Sequence, residues 1–131
     1  MRLGTVLHRG REKVVAVIDD ETVLDVAAAG VHAPDMVALI EGGETALAAI
    51  RLALEAPGDE AIPLADTVHR CPIKPVQYRD CLVFEEHLKN SFAAAQAMTG
   101  REFSIPRVWY DQPIYYKGNR MSFIGHEEDV L

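Results

Sequence analysis

Asp80, His87 and Asn90 fall within the stretch Tyr78-Arg-Asp-Cys-Leu-Val-Phe-Glu-Glu-His-Leu-Lys-Asn-Ser91. Seven residues complete two α-helical turns to within about 20°, so on a helix Asp80 and His87 project the same way. Asn90, one turn further on, joins their stripe. Val83 and Phe84 share it as well, which predicts a stripe that faces protein rather than water. A half-buried imidazole, with an ordinary pKa near about 6.5, is a poised acid or base. A carboxylate on the same stripe would orient it, tune it or hold a cation. The structural alternative for the same spacing is a histidine that only satisfies its own hydrogen bonds at the edge of a core.

A second stretch with chemical texture follows Gly100. Pro106-Arg-Val-Trp-Tyr-Asp-Gln-Pro113-Ile-Tyr-Tyr-Lys-Gly-Asn-Arg120 is dense in aromatic rings, prolines and polar groups. Rings with an apolar body and a polar tip suit the wall of a pocket, and the loop-rich texture suits a functional segment. A packed connector with surface tyrosines is the competing account.

The elements that must position these residues are read from hydrophobic period and turn signals. Leu3–His8, Lys13–Ile18 and Thr22–Val26 are Val- and Leu-rich runs separated by short turns, and they predict a β-meander. Pro34-Asp35 opens a helical segment, Met36–Glu41. Gly42-Gly43 breaks it, and Glu44–Glu55 resumes with Leu47, Ile50 and Leu54 at helical spacing. No phosphate-loop pattern surrounds the paired glycines, so a helical pair packed on the small sheet is expected. Ala61–Ile73 reads as extended chain, and Pro72 and Pro75 keep it from continuing as a central strand or a helix. A long helix is predicted from about Val76 to Met98, with Gly100 as its stop and Glu85 and Lys89 marking its solvated face. The fold class is α+β. Residues 1–66 form a small N-terminal domain and residues 67–131 begin a β-rich, mixed β-roll domain.

The 131 residues carry 13 Lys and Arg against 20 Asp and Glu, a formal net charge of -7. With no basic cluster beyond Arg9–Lys13, that balance argues against nucleic acid and against an anionic membrane surface. A DNA-binding role for the helical pair in residues 34–56 is disfavoured, because Arg51 is its only basic residue. The N-terminus breaks into charge at His8–Lys13 before any apolar core of signal length, and no apolar run approaches a membrane span. Cys71 and Cys81 are not in a metal spacing and are too few for a disulfide scaffold, so the expected compartment is a reducing cytoplasm.

Asp80-x6-His87-x2-Asn90, with the Pro-rich lead-in before it and the aromatic segment after it, resembles the N-terminal part of the fumarylacetoacetate hydrolase family. The likeness covers most of the chain. In long-form members the Asp of this motif lies at the metal and substrate pocket and the His is the base that activates a water. The resemblance therefore implies those roles for Asp80 and His87, with Asn90 as a supporting residue. Pro113–Asn119 is similar to the family's aromatic substrate segment, which implies that Tyr116 or Lys117 meets the substrate's oxygens.

The implied reaction is hydrolysis of a carbon–carbon bond in a β-diketo acid. The implied cofactor is a divalent cation, Mg²⁺ first, with Ca²⁺ or Mn²⁺ as alternatives. Related members isomerise, hydrate or decarboxylate similar keto acids. The implied partners are a small-molecule keto acid and either a second copy in a homodimer or the missing C-terminal portion. Leu82 stands where the hydrolases proper have a substrate-contacting Tyr. The family's Glu-x-Glu pair and later Asp have no counterpart here, since Glu127 and Glu128 are adjacent. The chain is thus expected to be about the first third to two-fifths of the usual enzyme: a truncated piece, one part of a split chain, or an independent domain. For the chain taken alone, the rival is a non-catalytic docking or oligomerisation domain.

Overall fold

The computed structural model describes residues 1–130; Leu131, the last residue of the second expected domain, lies outside them. The chain is α+β and divides into two compact units, one made of Met1–Val76 with the segment from Arg120 onward, the other of Gln77–Asn119. The first unit continues past residue 66, the limit expected from sequence. There a short strand returns to the sheet and the Arg70 N–H donates to the Thr5 carbonyl at 2.9 Å.

The first unit is built on an antiparallel sheet. Its strands are β1 (Leu3–His8), β2 (Arg11–Val17), β3 (Thr22–Asp25), β4 (Ala61–Pro63) and β5 (Val68–His69), in the order β4-β3-β2-β1-β5. The expected meander is β1-β2-β3. His8 pairs with Arg11, so the first hairpin turns on two residues, Arg9 and Gly10, at φ 49° and 75°. Two consecutive residues at positive φ match the twist of the flanking strands, and glycine takes such a φ without steric cost.

Strand alternation sorts the core onto two faces. Val14, Ala16 and Leu24 lie on one, where they pack with Val26, Val31, Met36, Leu39 and Ile50. Val6, Val15, Val23 and Ile62 form a smaller cluster on the other. Helices α1 (Met36–Glu41) and α2 (Gly43–Glu55) cover the first face. Asp35 starts α1 by accepting the Ala38 N–H at 2.8 Å, and the Gly42-Gly43 break falls as the sequence predicts. Of the helical triplet read from sequence, Ile50 is fully buried and Leu47 and Leu54 are half-buried. Among the described residues Asp25 is the one buried charged side chain; it pairs with Lys13 and accepts the N–H groups of Ala27 and Ala28.

Two acidic residues pin loops of this unit. Asp19 accepts from the Thr22 hydroxyl at 2.7 Å and from the N–H groups of Glu21 and Thr22, which close the turn between β2 and β3. The Thr22 hydroxyl and the Glu21 N–H hold its carboxyl below its ordinary value. Its folded pKa is therefore below its unfolded one. The turn's contribution is full above about pH 4 and is lost as pH falls through the folded value. Urea midpoints of the protein and of Asp19→Asn should diverge above that pH and converge on acidification; parallel curves would show that the turn carries no such linkage. Glu128 accepts the Gly125 N–H at 2.6 Å and pairs with Arg70, and these contacts lower its carboxyl pKa in the same sense.

The second unit contains β6 (Arg79–Cys81), α3 (Glu85–Thr99), α4 (Val108–Asp111) and β7 (Tyr115–Lys117). Among the described residues Leu88 is its one buried side chain, while Val83, Phe84, Met98 and Tyr116 are exposed. No helix of the described residues is long and apolar enough to cross a membrane.

Candidate functional site

The helix expected from about Val76 begins only at Glu85, so Asp80 is not on it. Asp80 is the central residue of β6, which pairs antiparallel with β7 in the register Arg79–Lys117, Asp80–Tyr116 and Cys81–Tyr115. The reason lies in a segment whose Tyr78, Val83 and Phe84 are β-prone. Such a segment fits a strand as well as a helix, and a partner strand near residue 115 satisfies its backbone. The ladder continues through the Leu82 N–H, which donates to the Ile114 carbonyl at 2.9 Å. A helix-start signal was present in Glu85-Glu86, two acids placed where the first-turn dipole favours them.

This register brings two of the sequence candidates together. Residues directly opposite in an antiparallel pair share a face, with Cβ atoms about 4.5–5.5 Å apart. Asp80 and Tyr116 are such a pair, although 36 positions separate them in the chain. Lys117, next to Tyr116, projects to the other face with its partner Arg79, whose guanidinium lies 4.8 Å over the Tyr115 ring. The strand pair leaves room for Tyr78 because residue 118 is glycine; a Cβ there would come 2.2 Å from the Tyr78 ring.

His87 and Asn90 are on α3 and both are exposed. The face of α3 that packs within this unit carries Glu85, Leu88, Lys89 and Phe92. Phe92 stacks on Phe103 with centroids 6.0 Å apart, and Glu85 and Lys89 form a 3.0 Å ion pair. At 100° per residue His87 lies about 160° from Lys89 around the helix, away from that face. The stripe expected to be covered is open, with Phe84 and Val83 75% and 58% exposed, while Glu85 and Lys89 remain at the surface and Glu85 turns toward Tyr110. The three motif residues therefore do not share one helical stripe. Among the described residues the side chains of Asp80, His87, Asn90 and Lys117 have no hydrogen-bond or ionic partner.

Helix α4 supplies two polar contacts that sequence reading assigned only to a pocket wall. The Trp109 Nε1–H donates to the Leu82 carbonyl at 2.6 Å, and the Tyr110 hydroxyl donates to Glu85 Oε1 at 2.7 Å. Tyr110 and Lys89 together hold the Glu85 carboxyl below its ordinary range; in return Glu85 raises the pKa of both. The signal available in sequence was the adjacent Trp-Tyr pair, whose N–H and O–H each need an acceptor. A groove of about 390 Å³ runs beside α3, lined by Lys89, Phe92, Gln96, Phe103 and Tyr110, but His87 is not on it.

No group of three or more His, Cys, Asp or Glu side chains suited to a metal ion occurs among the described residues. Asp80 is a single carboxylate beside a phenol, short of the octahedral oxygen shell that Mg²⁺ requires. The donor set of this chain does not by itself fit the implied cation. No protein-family model matches the chain, and no curated protein matches it.

Proposed function

We propose that this chain is the N-terminal part of a cytoplasmic, metal-dependent hydrolase that cleaves a carbon–carbon bond in a β-diketo acid, as its resemblance to the fumarylacetoacetate hydrolase family implies. The observation that carries this reading is the pairing of Asp80 with Tyr116. The two were assigned to one pocket from separate stretches, and the β6–β7 register sets them side by side on one face. In this reading His87 takes a proton from water, Asp80 supplies one anionic oxygen, and Tyr116 donates a hydrogen bond to a substrate oxygen. Lys117, on the opposite face of the β6–β7 pair, is the cation assigned to an acidic substrate. A bound divalent cation would polarise the diketo oxygens. Most of its ligands lie outside residues 1–131, on the remainder of the enzyme or on a partner in a homodimer.

The test begins with this chain alone. Calorimetric titration with Mg²⁺ or Mn²⁺ should show only weak binding, and acylpyruvate hydrolysis should be negligible. Sub-micromolar one-to-one binding would mean that the ligands are assigned to the wrong place. A second reading, a docking or oligomerisation module, is favoured by the near absence of a core in residues 77–119. The two part company on metal: a completed assembly that holds no stoichiometric divalent ion is a docking module.

A further inference from the structure

The connection between β6 and α3 is three residues long, from Leu82 to Phe84. Asp80 precedes it and His87 follows it, so any hinge motion there changes how a carboxylate faces an imidazole. Misplacement of reacting groups by about 1 Å costs on the order of 10²-fold in rate. The N-cap of α3, Phe84, makes no side-chain capping bond. The stiffening arrives from far along the chain. Trp109, 27 residues on, binds the last carbonyl before the connection turns, and Tyr110, 25 residues from its partner, binds the first residue of α3. The two rings also brace each other edge to face, 4.8 Å apart at 88°. With its N–H on Ile114 and its carbonyl on Trp109, Leu82 has both main-chain groups tied to this segment.

We propose that Trp109 and Tyr110 are positioning residues that lock the β6–α3 junction and thereby fix Asp80 relative to His87. The assignment rests on the catalytic reading of that pair. Each bond joins the junction to α4 rather than completing an element. The β6–β7 ladder and the Phe92–Phe103 contact hold their own elements without it. Losing the two bonds should free an angle and leave the strands and the helix intact.

Residual dipolar couplings of backbone amides, measured on the full chain with no substrate or metal, read that angle directly. In the wild-type protein one alignment tensor should fit the β6–β7 strand pair and α3 together. In Trp109→Phe/Tyr110→Phe, which keeps both rings and removes both donors, each element should still fit its own tensor and the common fit should be lost. A role in stability alone would leave the common tensor in place. Its survival in the double variant overturns the proposal, as does a wild-type chain that already needs two tensors. Should the Trp109 substitution fail to fold, Tyr110→Phe alone decides by the same criterion, since its ring is 58% exposed and loses only a hydroxyl. The couplings involve no turnover, so their outcome is separate from that of the catalytic reading, which stands or falls on His87→Ala activity.

Discussion

On the proposed hydrolase reading, His87→Ala in the assembled enzyme is expected to lower kcat by about 10²–10⁴-fold while KM changes little. A general base acts mainly in the transition state, and its loss typically costs that much. The imidazole is exposed and has no partner among the described residues. The same variant should lose the acidic limb of the pH–rate profile, because that limb reports protonation of the base. On the same reading Asp80→Ala should instead weaken binding of metal or substrate, because its proposed role is to hold charge and not to move a proton. Steady-state kinetics across pH, with saturating Mg²⁺, measures all three. If His87→Ala keeps near-wild-type kcat, the base lies elsewhere and His87 is a solvated residue on the outer face of α3.

The largest expected loss of stability comes from Ile50→Ala. Ile50 is 0% exposed and belongs to the cluster formed by Val14, Ala16, Leu24, Met36 and Leu39. Truncation removes the transfer energy of the buried methyl and methylene groups and leaves a cavity between α2 and the sheet. Together these cost about 2–5 kcal/mol, a large share of the stability of a domain this size. Leu52→Ala, two residues along the same helix, is the control. Leu52 is 69% exposed, so its change should stay within about 0.5 kcal/mol. Urea denaturation followed by circular dichroism gives both values. A loss at position 50 no larger than at position 52 would show that α2 does not hold this face of the sheet.

Much of the first unit was legible in the sequence because its signals are local. The Val-rich runs with short turns between them predict β1, β2 and β3, and the turn at Arg9-Gly10 fixes the register of β1 on β2 through backbone conformation. Asp35 and the Gly42-Gly43 pair bound α1, and the spacing of Leu47, Ile50 and Leu54 sets the buried side of α2. Gly100, at φ 69°, ends α3 where it was expected, since a left-handed C-terminal residue is a local requirement.

The candidate site was legible only as a set of residues. Tyr78–Phe84 carries a helical stripe and β-prone side chains at once, and nothing within it chooses between them. The choice is made by β7, more than thirty residues away, whose backbone completes the ladder. Which side of α3 is covered is likewise decided by Phe103 and Tyr110, which take up Phe92 and Glu85 and leave His87 outward. The sequence by itself determined the α+β class, the meander, the helical pair and which side chains bear chemistry. Their partners were decided by tertiary structure alone, because strand pairing and helix-face burial are settled by distant segments that no local period encodes.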